Sequence, residues 1–154
     1  MSRRWKLVVL VAVGILLLLQ FFQPEPNSAP IAPELDMLAL VSPPEQIGDL
    51  IRSSCYDCHS NQTIYPWYYR ISPVSWYLNK HIEDGKEKLN FSDFGLLDKV
   101  DKIGALSDFC DALDAGIMPL QSYLLIHKEA RLSEEDREAL CLWSEKEALK
   151  VMRE

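Results

Sequence analysis

Cys55-Tyr56-Asp57-Cys58-His59 is the stretch on which the reading of this chain turns. Two cysteines two residues apart, with a histidine directly after the second, form the attachment signature of a c-type haem. One helical turn points both thiols at the two vinyl groups of the macrocycle, while His59 brings its imidazole beneath the iron. Five residues thus supply covalent anchorage and the proximal ligand together. Three other readings use the same residues. A zinc site on Cys55 and Cys58 needs two further ligands at characteristic spacing, and the remaining cysteines, Cys110 and Cys141, are isolated. A thioredoxin-like pair needs a βαβ setting, which is not visible. A plain Cys55 to Cys58 disulfide leaves His59 without a role.

Upstream of the motif, Ile47, Leu50 and Ile51 recur at helical spacing, so a helix over 45–56 delivers the cysteines. Ser42-Pro43-Pro44-Glu45 reads as its N-cap, first-turn proline and capping-box glutamate. Residues 23–44 hold six of the nine prolines, which suits an extended spacer or a disordered tail rather than helix or central strand. Before them, Trp5 to Phe22 is a run of 18 residues broken only by Lys6 and Gln20. As a helix it measures about 27 Å, close to a bilayer core of about 30 Å. Arg3, Arg4 and Lys6 precede the apolar run, so the amino end is expected in the cytoplasm and the remainder exported. Prolines obstruct the region where a signal peptidase would cut, which favours an uncleaved anchor over a cleaved leader. Without residues 1–23 the net charge moves from −7 to about −10, since three cations and no acid are lost. That balance argues against nucleic acid as a partner.

Downstream, Ser60 to Arg70 is polar and then densely aromatic, fit either to wrap a flat porphyrin edge or to fill a core. Ser72-Pro73 opens a short helix through Val74, Trp76, Tyr77, Leu78 and His81, with Gly85 as its stop. The next helix, over 93–115, sets Leu96, Val100, Ile103, Leu106, Cys110 and Leu113 in one stripe and ends at Gly116. Leu132-Ser133-Glu134-Glu135-Asp136 caps a last helix over 134–152, with Leu140, Trp143, Ala148 and Val151 inward. No run shows convincing strand alternation. The expected fold is all-α: a membrane anchor at 1–22, a Pro-rich linker at 23–44, and at 45–154 a small cytochrome c-like helical domain around a covalent haem.

Several of these runs occur together in one family. Ser54-Cys55-Tyr56-Asp57-Cys58-His59-Ser60-Asn61, Tyr65-Pro66-Trp67-Tyr68, Pro73-Val74-Ser75-Trp76, Leu89-Asn90-Phe91-Ser92, Met118-Pro119-Leu120 and Glu129-Ala130-Arg131-Leu132-Ser133 resemble the haem-binding domain family of bacterial exported proteins, related to the c-type cytochromes. The likeness covers residues 42–145. It implies that Cys55 and Cys58 are the thioether attachment points and His59 the proximal ligand, and it marks Met118 within its Met-Pro-Leu run. Phe94 stands where the family more usually has tryptophan, a change of packing rather than chemistry.

For the sixth iron ligand Met118 is the first candidate, because a proline-stiffened loop can hold a weak thioether near iron. The other reading is a gap-filling core methionine. His81 and His127 are alternatives, and an open site is the remaining one. In an oxidising compartment Cys110 and Cys141 form a plausible disulfide between the two long helices, the other reading being two buried thiols. With both axial positions filled, one haem c per chain passes electrons, and the acidic surface suits a redox partner with a basic docking face. The expected location is the bacterial inner membrane, single-pass, with the C-terminal domain in the periplasm. A haem-based gas or peroxide sensor, or an enzyme with an open or weakly held sixth position, is the alternative; an electron-transfer protein fits better than a catalyst.

Overall fold

Short capped helices joined by proline- and glycine-controlled turns make up the chain, as seen in a computed structural model that describes residues 2–27 and 29–153. The α-helices are α1 (Arg3–Leu19), α2 (Met37–Val41), α3 (Glu45–Ser54), α4 (Tyr56–His59), α5 (Val74–Lys88), α6 (Lys99–Asp114), α7 (Gln121–Leu124) and α8 (Glu134–Arg153). Tight 3-10 turns at Pro33–Leu35, Trp67–Arg70, Phe91–Leu96 and Lys128–Ala130 connect them, and no strand occurs among the described residues. The all-α expectation therefore holds.

The framework is the pair α6 and α8, which lie side by side. Ser144 donates to the Leu106 carbonyl and a disulfide joins Cys110 to Cys141, so the helices run antiparallel. Their inward residues, Leu106, Leu113, Leu140 and Trp143, form one core with Ile47, Ile51, Tyr56, Phe91 and Phe94. Ser133 and Asp136 cap α8 reciprocally: each backbone N–H donates to the other side chain at 3.0 Å.

Several sequence expectations change. The helix expected over 93–115 begins only at Lys99, because Asp98 accepts from the Asp101 N–H at 2.9 Å and starts a new helix after the 3-10 turn. Leu96 and Val100, expected inward, are therefore exposed. Ser42 does not cap α3; with φ of 45° it closes α2 instead, its N–H reaching the Leu38 carbonyl. The 23–44 stretch is not a spacer free of the domain, and the expected boundary at 45 falls inside the folded unit. Asp36 caps α2 by accepting from the Leu38 N–H, and Met37 and Leu38 are buried in the core. The prolines cluster outside these few residues, which leaves room for one short helix.

The amino-terminal helix also differs from expectation. It ends at Leu19, is 17 residues long and has no buried residue. Gln20, Phe21 and Phe22 turn off it through i to i−3 hydrogen bonds, and the Gln20 amide donates to both the Leu16 and Ser72 carbonyls. Competition from Ser72 thus cuts the helical part of the expected Trp5–Phe22 span to Trp5–Leu19, about 22 Å. Among the described residues no helix is long and apolar enough to cross a membrane.

Candidate functional site

The haem signature sits where α3 breaks and α4 begins. Cys55 closes α3 with its N–H on the Ile51 carbonyl, and the single turn of α4 carries Cys58 and His59. The thiols are free and half-buried. Burial, aided by the neighbouring Cys58, pushes the Cys55 thiol up to about 12, and burial with the charge of Asp57 pushes Cys58 up to about 11. Both are neutral at physiological pH. His59 Nδ1 lies 3.0 Å from the Leu89 carbonyl, so its N–H donates there and Nε2 remains as the nitrogen with a lone pair. Burial lowers the His59 pKa, offset in part by hydrogen bonds to the Leu89 and Gly85 carbonyls. A neutral imidazole oriented through a backbone carbonyl is the form in which histidine ligates a metal.

Cys55, His59 and Met118 line one apolar lobe of about 400 Å³, walled by Leu89, Phe91, Phe109 and Leu113. A second lobe of about 350 Å³ shares Cys55, His59, Lys88 and Met118 and adds Cys58, His81, Gly85 and Tyr123. Together they form a cleft bordered by both thiols, the imidazole and the thioether. Met118, like His59, borders both lobes. Gly116, at φ of 65°, ends α6, and the Ile117 and Met118 N–H groups both fold back on the Ala112 carbonyl. This reversal aims the Met118 loop at the motif.

A dense polar frame holds the motif from behind. Tyr56 donates to the Asp36 carboxylate at 2.8 Å and stacks on Phe91. Asp57 accepts from the Ile64 N–H and from the Tyr123 hydroxyl, tying the aromatic loop and α7 to α4. Asn61 receives the Asn90 amide, and its N–H donates to Ser92, which fixes the segment whose Leu89 carbonyl orients His59. Gly85 is not the stop that its position suggested, since α5 runs on to Lys88. Instead the Cys58 carbonyl oxygen lies 2.7 Å from where a Cβ on Gly85 would stand. Glycine is there so that α5 can press on the motif. Nothing in the sequence marked Leu89 as the histidine's partner beyond its place in the Leu-Asn-Phe-Ser run.

The two histidine alternatives part company. His127 borders neither lobe of the cleft: its Nε2 takes the Tyr68 hydroxyl proton at 2.7 Å and its Nδ1 faces Glu129 at 3.1 Å. His81 does border the second lobe, with its ring edge-on to Tyr77. Zinc finds no support. Among the described residues the one group of three His, Cys, Asp or Glu ligand atoms is Cys110, Asp114 and Cys141, and its two sulfurs are bonded to each other.

An all-helical domain with this cleft, a backbone-oriented imidazole at its centre and apolar walls on both sides, is built as a haem protein. The chain belongs to the haem-binding domain family, whose model matches residues 14–146. No curated protein and no solved structure matches it. The family match includes the 23–44 stretch, in keeping with its packing on the core.

Proposed function

We propose that this protein is a c-type cytochrome that carries electrons. In this reading one haem is bound through thioethers at Cys55 and Cys58, with His59 as proximal and Met118 as distal ligand. The observation that carries it is the meeting of both thiols, His59 and Met118 on one cleft, with His59 Nδ1 already committed to Leu89. The bound haem supplies one-electron chemistry at iron. The chain's own residues do the rest. Cys55 and Cys58 border the cleft where they would meet the vinyl groups, and the Leu89 carbonyl raises the basicity of the imidazole. Met118 would hold the iron through its thioether, which favours the ferrous state, while Phe91, Phe109 and Leu113 would exclude water. A haem held by both His59 and Met118 would have no open position for substrate, which fits a carrier rather than a catalyst.

The folded part lies in the periplasm in this reading, attached to the bacterial inner membrane through α1. Support comes from α1 itself, apolar from Leu7 to Leu19 and exposed along its length, with Arg3, Arg4 and Lys6 at its amino end. The redox partner presents a basic face to the acidic surface, where Asp84, Glu87 and Asp108 rim the cleft. The test is expression in a host competent in haem attachment, followed by acid-acetone extraction of the purified protein. Haem at one per chain stays with the polypeptide, and Cys55→Ser with Cys58→Ser releases it. Haem that extracts freely from the unaltered chain refutes covalent attachment.

A further inference from the structure

Beyond the haem cleft lies another cavity, of about 300 Å³. Asp57, Cys58, His81, Leu120 and Tyr123 wall it off from the second lobe, and neither His59 nor Met118 borders it. Its lining is apolar and aromatic, including Ile64, Trp67, Val74, Leu78 and Ile126. Most of its polar side chains are engaged: Asp57 accepts from Tyr123 and Ile64, and Ser122 accepts from Tyr77.

Tyr68 and His127 are arranged differently. The His127 Nδ1 proton goes to Glu129, so Nε2 accepts from the Tyr68 hydroxyl, and Tyr123 stacks on the imidazole at 4.2 Å and keeps it in place. The Tyr68 oxygen is thereby left as an acceptor facing whatever fills the cavity. Ile64 and Trp67 on the rim are each 78% exposed. An apolar, aromatic lining with an exposed apolar rim suits a lipid-soluble ligand.

We propose that this cavity binds a lipid-soluble aromatic alcohol of the quinol class. The ring lies among the aromatic side chains, one hydroxyl donates to Tyr68, and the hydrocarbon tail covers Ile64, Trp67 and Ile126. Its role as a neighbour of the haem rests on the electron-carrier reading, but its binding does not.

The test is a fluorescence titration of the full chain in detergent micelles with 2-heptyl-4-hydroxyquinoline N-oxide, a fluorescent quinol analogue, read as intensity and anisotropy. Saturation at one probe per chain is expected. Tyr68→Phe weakens binding about five-fold, the worth of one hydrogen bond, and Val74→Trp, which fills the cavity, abolishes it. Probe that partitions into micelles without saturating overturns the proposal, as does binding that neither variant changes. If Val74→Trp fails to fold by circular dichroism, Tyr68→Phe alone decides. Haem content is read separately from the absorption spectrum. A chain that saturates with probe but takes up no haem sinks the carrier reading alone, and a haem-loaded chain that does not saturate sinks this one alone.

Discussion

Replacing Gly85 by alanine tests whether α5 presses directly on the haem motif. The added Cβ would stand 2.7 Å from the Cys58 carbonyl oxygen, 3.3 Å from its carbonyl carbon and 3.4 Å from its Cβ. Ordinary contact starts at 3.4 Å, so α4 and α5 must separate by about 0.7 Å. Overpacking of this kind costs about 1–3 kcal/mol. Against it, alanine gains up to about 1 kcal/mol over glycine inside a helix. Gly104 in α6 supplies the control, because a Cβ there meets nothing within 4 Å. Both variants share the propensity gain, so the stability difference between them isolates the clash at about 1–3 kcal/mol. Urea unfolding followed by circular dichroism measures it, and haem retained per chain reports the site. Gly104→Ala should be at least as stable as the parent and fully loaded, whereas Gly85→Ala should be weaker and under-loaded. Equal unfolding midpoints for the two variants would refute the close approach of α5 to Cys58.

Met118→Ala should remove the sulfur-to-iron charge-transfer band of the oxidised protein, lower its reduction potential and open ferrous iron to carbon monoxide, while His127→Ala does none of these. If His81→Ala opens the iron instead, ligation is bis-histidine; if the unaltered ferrous protein binds carbon monoxide at once, the sensor or enzyme reading moves ahead. Cys110→Ser with Cys141→Ser opens a bridge of sequence separation 31, and the chain-entropy model puts the loss at about 3–4 kcal/mol. The check is a lowered unfolding midpoint, and unlabelled Cys110 and Cys141 on alkylation of the native parent. Ser133→Ala should cost about 1 kcal/mol at neutral pH by uncapping α8. Hydrogen bonds from the Ser133 backbone and hydroxyl hold the Asp136 carboxyl below its ordinary 3.8. The stabilisation of the carboxylate is complete above that value and lost as pH falls toward the folded pKa, so the gap between parent and variant should narrow in acid without closing, because the Asp136 N–H still donates to Ser133 Oγ in the parent.

What the sequence made legible was local. The α8 capping box, the turn at Gly116 and the Leu106, Cys110 and Leu113 stripe each depend on residues within a turn or two of one another. The late start of α6 at Asp98 and the turn at Ser42 were misread on local hydrogen bonds, but the other misread elements involve a partner far along the chain. Gly85 reads as a helix stop, yet its small size is demanded by the Cys58 carbonyl. The stretch around Asp36 reads as spacer, but Asp36 takes the hydroxyl of Tyr56 and the amide of Gln62. Gln20 sits in an apolar run that reads as one helix, and Ser72 draws it out of line.

At the site the same division applies, with one consequence for how the cofactor is held. The motif names Cys55, Cys58 and His59 because thiol, thiol and imidazole must lie within one turn of helix. It cannot name what turns the imidazole. Among the described residues that task falls to the Leu89 carbonyl, a group every residue possesses, and its position is set by the Asn61, Asn90 and Ser92 hydrogen bonds. Side-chain identity therefore matters there at Asn61, Asn90 and Ser92 rather than at Leu89 itself. The orientation of His59 is held by a polar frame on the Nδ1 side of its ring, which separates loss of orientation from loss of the Nε2 lone pair.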